Sequence, residues 1–177
     1  GSGETLFVLG DASQPAASGD GRSIALRRWK RDGRGIVAMG LSGPILGAEY
    51  HRLTAQSFVE DSLPAFSPDG NTVVFSSRRE SDRQSRIYLT DARGGQEHVL
   101  QQNFHPILGT YPSWLKDNRI VYTNCGGGPN CGGLMLMRMD GSDARPLGDN
   151  GSDTAAMNSP DGSKVAFMSQ RDGSWDI

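Results

Sequence analysis

One stretch limits what this chain can fold into more than any other. Pro64-Ala65-Phe66-Ser67-Pro68-Asp69-Gly70-Asn71-Thr72-Val73-Val74-Phe75 is an apolar segment, a Ser-Pro-Asp-Gly corner and an alternating β-branched and aromatic segment. An earlier copy runs from Pro15 through Ser18-Gly19-Asp20-Gly21 to Ile24-Ala25-Leu26, and a later one through Asn158-Ser159-Pro160-Asp161-Gly162 to Val165-Ala166-Phe167. A degraded copy lies between them, in Pro112-Ser113-Trp114-Leu115-Lys116-Asp117-Asn118 before Ile120-Val121-Tyr122. Each corner predicts a hairpin, because Gly accepts the positive φ of a tight turn and Pro presets the approach to it.

Aligned copies start at Pro15, Pro64, Pro112 and Ala156, spaced 49, 48 and 44 residues apart, a period that suits a four-stranded propeller blade. In the second unit the strands, A to D, are expected at 63–66, 72–77, 86–90 and 96–100. The first unit places B, C and D at 23–29, 35–41 and 49–53; the third places them at 119–124, 134–139 and 144–147. In the fourth, Trp175-Asp176-Ile177 begins strand C. Thr5 to Leu9 stands where a strand D belongs. No stretch keeps a 3.6-residue apolar period, so almost no helix is expected. The 24 glycines and nine prolines cluster between apolar runs, as they do where short strands meet at tight turns.

The order of apolar strand, Ser-Pro-Asp-Gly, strand ending in Phe, variable hairpin, Ile-Tyr strand, Gly corner and strand ending in Leu resembles the TolB-type β-propeller repeat. The resemblance spans nearly the whole chain. It implies an all-β propeller of four-stranded antiparallel blades, about three and a half to four of them here. Residues 1–3 read as an engineering remnant. Residues 4–177 read as one partial propeller, with repeats at about 10–54, 55–101, 102–148 and 149–177. Members of the family usually close six or more blades. A piece of a larger propeller, or one completed by assembly, is therefore expected. Apolar sheet faces left open by such an arc predict that copies pair as a homo-oligomer.

Cys125 and Cys131 flank a glycine-rich hairpin between B and C of the third unit. A disulfide is favoured over a metal site, which would need more ligands, and over a redox motif, which would need Cys-x-x-Cys at a helix start. The Asp140, Asp143, Asp149 and Asp153 loop suggests calcium, but EF-hand spacing requires Glu where Pro160 stands. No metal and no cofactor is expected. His51 and His98 repeat on the outermost strand and read as solvated side chains; His105 lies in a D-to-A connection.

Charge gives the clearest functional lead. The first B-to-C hairpin carries +4 and the second +2, so the remainder of a chain of net charge -2 sums to -8. B-to-C and D-to-A loops emerge on one end of a propeller, so these hairpins lie side by side, suited to an acidic peptide, glycan or lipid head group. Arg28, Arg31, Arg79, Arg83 and His105 are the candidate ligand-binding residues. The overall charge argues against nucleic acid as a partner. No apolar run reaches the ~20 residues of a membrane span.

No nucleophile, base and orienting group stand in compatible positions, so an enzyme is not expected. The resemblance implies a non-catalytic module for a protein or peptide partner in a bacterial periplasmic or extracellular setting. Two alternatives stand beside it. Similar propellers accompany prolyl-oligopeptidase-like hydrolases or form related lyases, and an excised propeller piece could serve assembly alone.

Overall fold

The computed structural model describes residues 10–29, 34–41, 50–54, 60–126, 130–148, 151–159 and 163–177. The Thr5 to Leu9 strand and Arg31 lie outside them. Among the described residues there is no helix.

The first sheet is β1 (Ala12–Ala17), β2 (Ser23–Arg28), β3 (Gly35–Gly40) and β4 (Tyr50–Arg52), paired in chain order. The second repeats the plan with β5 (Asp61–Phe66), β6 (Thr72–Ser77), β7 (Arg86–Asp91) and β8 (His98–Val99). A small hairpin follows, β9 (Gln101–Gln102) and β10 (His105–Pro106). The third sheet is β11 (Gly109–Trp114), β12 (Arg119–Asn124), β13 (Leu134–Arg138) and β14 (Arg145–Pro146). The fourth holds β15 (Thr154–Asn158) and β16 (Val165–Met168), with a Ser169–Asp176 bridge starting a third strand. All these pairings are antiparallel, as the repeats predict.

Side-chain alternation explains how the blades stack. On β6, Val73 and Phe75 pack against the first sheet with Ala25, Ile36 and Leu53, while Val74 turns to the third with Ile87, Ile120 and Trp114. Successive residues of a strand point to opposite faces, and a central blade buries both, so its second strand reads as a continuous apolar run. Full burial of a side chain of this size contributes about 1.5–3 kcal/mol. Trp114 also donates its indole N–H to the Ala65 carbonyl across the blade boundary at 3.1 Å. On the first sheet Leu26, Val37 and Met39, which face away from the second, are buried as well. Trp29 and Trp175 are exposed.

The first two corners are held by their serines. Ser67 Oγ donates to Asp69 at 2.6 Å and accepts the Thr72 N–H at 3.0 Å; Ser18 does the same with Asp20 and Ser23. The Ser67 hydroxyl and the Asn71 N–H hold the Asp69 carboxyl below the usual carboxylate range.

The innermost strands share a feature not foreseen from sequence. Gln14, Leu63, Tyr111 and Ala155 have φ of 54°, 56°, 49° and 53°. Each opens a bulge, where two residues face one large residue of the next strand, such as Phe75 or Tyr122. The second bulge residue is Pro15, Pro64 or Pro112 in three of the four, and Pro leaves no N–H to go unpaired. Leu63 N–H instead donates to Gln14 Oε1 at 2.9 Å. The four bulges ring a cavity of about 580 Å³ between the inner strands.

Candidate functional site at the variable end

The end opposite the Ser-Pro-Asp-Gly corners is built on a recurring ion pair. At the start of the inner strand stands Asp11, Asp61 or Asp153, which is buried, and at or just past the end of the second strand stands Arg28, Arg79 or Arg171. In the second blade Arg79 bonds Asp61 at 2.9 Å and Glu97 at 2.5 Å, and its guanidinium lies 4.5 Å from the Tyr88 ring centre. Burial opposes the charge on Arg79, but Asp61 and Glu97 outweigh it and its pKa is raised. Tyr88 in turn donates to Glu80 at 2.9 Å, and burial foremost pushes its phenol up to about 12. Arg28 is held by Asp11 and stacks 4.1 Å over Tyr50.

Among the described residues the third blade shows no such pair. Gly109 stands where the others have Asp, and a Cβ there would lie 2.5 Å from the Tyr122 ring. Its hairpin is closed instead by a Cys125–Cys131 disulfide, as favoured from sequence.

Two of the candidate arginines, Arg28 and Arg79, are thus held in ion pairs with buried carboxylates. Arg28 and Arg79 each follow another arginine; along β2 alternation turns Arg27 away from Arg28, and beyond the end of β6 Arg78 likewise stands apart from the Asp61–Arg79 pair. Arg27 and Arg78 line a recess of about 350 Å³ with Glu60, Ser62, Thr110 and Tyr111. Neither arginine forms an ion pair among the described residues. The sequence counted both in the charge of the hairpins but could not tell the pinned member of each doublet from the free one. Cys131 lies at the edge of the recess, so the disulfide hairpin helps shape it.

Arg83 is exposed at the tip of the second hairpin, near the Asp82–Arg86 pair. His105 is exposed on β10, apart from the recess. His51 and His98 are exposed on outer strands; His51 Nε2 also lies 3.0 Å from the Ala92 carbonyl of the next blade. Among the described residues no three His, Cys, Asp or Glu side chains converge to hold a metal.

The β9–β10 hairpin carries a residue that sequence reasoning passed over. Asn103 and Phe104 form its two-residue turn with φ of 51° and 66°. The second place in such a turn favours Gly, because Cβ crowds the backbone there. Phe104 occupies it and is 93% exposed. Leu100 N–H bonds Ile87 and Arg86 bridges Leu108, so this hairpin emerges beside the start of β7, on the same end as the recess.

The blades and their shared ring of bulges define an arc of a β-propeller with one conserved-geometry end and one variable end. The chain belongs to the TolB beta propeller domain family, whose model matches residues 11–177. Among solved structures it is similar to a putative TolB from Agrobacterium tumefaciens, with a TM-score of 0.74 and 22% identity over 97% of this chain and 59% of that one. TolB from Acinetobacter baumannii gives a TM-score of 0.74 and 21% identity over 97% and 41%. An oligogalacturonate lyase from Vibrio parahaemolyticus gives a TM-score of 0.66 and 15% identity over 95% and 49%. Identities this low bear on the fold alone, and the chain spans about two-fifths to three-fifths of those proteins' lengths. No curated protein sequence matches.

Proposed function

We propose that this propeller is a non-catalytic module that binds a protein or peptide partner on its variable end. The observation that carries this reading is Phe104. A bulky apolar side chain in a left-handed turn residue costs about 1–2 kcal/mol, and its exposure to water adds no compensating packing. Strain of this kind, on a loop at the same end as the recess, suits an aromatic anchor for a partner's apolar pocket. The formed disulfide fits an oxidising compartment, so the setting inferred is the bacterial periplasm or cell exterior. Pairing of copies is inferred at the fourth sheet, where Met168 is 40% exposed on the face turned away from the third. A dimer in light scattering at micromolar concentration would agree, and a monomer would remove that part.

Photo-crosslinking tests the docking reading. A photoreactive residue at Gln102, beside Phe104, in the bacterial protein is expected to yield a discrete protein adduct, and one at Asn71, on the opposite end, none. Phe104→Gly should abolish the adduct while raising thermal stability. An adduct from Asn71 alone, or one indifferent to Phe104→Gly, would overturn the reading. Because relatives by fold include a lyase, release of unsaturated product from oligogalacturonate would overturn the non-catalytic part.

A further inference from the structure

We infer that the recess between the first three hairpins recognises an acidic side chain of a bound peptide, with Arg27 and Arg78 as the pair that takes its carboxylate. This rests on the docking reading above and assigns the chemistry of one part of that end.

The two arginines enter the same recess from adjacent blades, and among the described residues both lack an acidic partner. Their neighbours Arg28 and Arg79 have already consumed the buried carboxylates Asp11 and Asp61. Guanidinium groups, with planar and fixed donor geometry, suit the recognition of a carboxylate entering the recess both of them line. The floor between them is mixed: Ser62 and Thr110 supply hydroxyls, while Leu63 and Tyr111 supply apolar surface. That mixture favours a peptide, in which a carboxylate sits next to an apolar side chain, over a bare inorganic anion. Leu63 and Tyr111 are both left-handed bulge residues, so the backbone irregularity of the inner strands is what brings this surface to the recess.

Glu60 limits the ligand. It lines the same recess and forms no ion pair with either arginine. The recess therefore offers two positive groups against one negative, which suits a single carboxylate and disfavours a densely anionic chain. The sign of Glu60's effect separates a ligand contact from mere scaffolding.

The test uses the full chain and three probes: acetyl-Leu-Glu-Gly-amide, its Gln counterpart, and inorganic phosphate. In NMR titration the Glu peptide is expected to move the side-chain Nε–H signals of Arg27 and Arg78 together and saturate with a Kd of about 1 mM. Arg27→Gln and Arg78→Gln should each weaken it about tenfold, and Glu60→Gln should tighten it about threefold, at unchanged backbone spectra elsewhere. Equal response to the Gln peptide, equal response to phosphate, or indifference to both arginine variants would overturn the inference. A failure here with the Phe104-dependent adduct intact would leave the docking reading standing, whereas loss of the adduct with peptide binding intact would do the reverse.

Discussion

The second and third blades close the same hairpin by different chemistry. In the second, Asp61 and Arg79 cross-link the inner strand to the far end of the second strand, with Glu97 and two aromatic rings around the guanidinium. In the third, Gly109 replaces the aspartate and Cys125–Cys131 replaces the arginine. One closure depends on a buried charge pair and its surroundings, the other on a covalent bond and its redox state. The fourth blade shows what the ionic version lacks without its neighbours: Arg171 bonds Asp153 at 2.9 Å, yet its side chain is 50% exposed, against 10% for Arg79. The same two residue types make a latch buried on both sides in one place and, in another, a buried carboxylate capped by a half-exposed arginine.

The largest expected effect tests that difference. Asp61→Asn removes a buried partner from a buried arginine and is expected to cost about 3 kcal/mol in denaturant unfolding. Asp153→Asn should cost less, about 1–2 kcal/mol, because Arg171 is free to turn to water and the new amide carbonyl can still accept the Ser169 hydroxyl. Equal costs would show that the two pairs are energetically alike and that burial does not set their worth. Replacing both cysteines of the third hairpin by serine comes next, at about 2–3 kcal/mol by chain-entropy reasoning. The variant's unfolding midpoint should match that of the reduced parent; a variant as stable as the oxidised parent would mean the hairpin is held by its backbone bonds.

The smallest effect distinguishes the hairpins by what loosens them. Asp82, at the tip of the second, accepts two bonds from Arg86, at 2.7 and 2.6 Å. That pairing, foremost, with the Gln84 N–H, lowers its pKa from 3.8 to about 2. A carboxyl depressed in the folded state stabilises above its unfolded pKa and loses that contribution as pH falls through the folded one. The second hairpin should therefore loosen between about pH 4 and 2, while the third responds to reductant and not to this titration. A carboxyl-carbon NMR titration should place Asp82 near 2, returning towards 3.8 in Arg86→Gln. An unchanged midpoint in that variant would remove Arg86 as the cause.

Much of this architecture was legible because it is written locally. Strands at 72–77 and 119–124 fall where the alternation put them, since a short run bounded by a turn residue states its own limits. The left-handed turns at Gly94 and Gly141 follow likewise from the residues that occupy them. The candidate site was less legible. Arg27-Arg28 and Arg78-Arg79 look alike in sequence, and nothing in either doublet says which member faces Asp11 or Asp61, some 17 and 18 residues away. Phe104 gave no signal because Asn103-Phe104 is not the Asn-Gly pair that announces such a turn.

The sequence alone determined the repeat, its corners, the strand positions and the disulfide candidate, all of which depend on residues close together in the chain. Tertiary structure decided which charges are available. Bulges at Gln14, Leu63, Tyr111 and Ala155 shift each inner strand against its partner, and that register, with stacking between blades, buries Arg28 and Arg79 while leaving Arg27 and Arg78 facing one recess. The physical reason is that a charge is committed or free according to its desolvation and its distant partner, and neither is a local property of the chain.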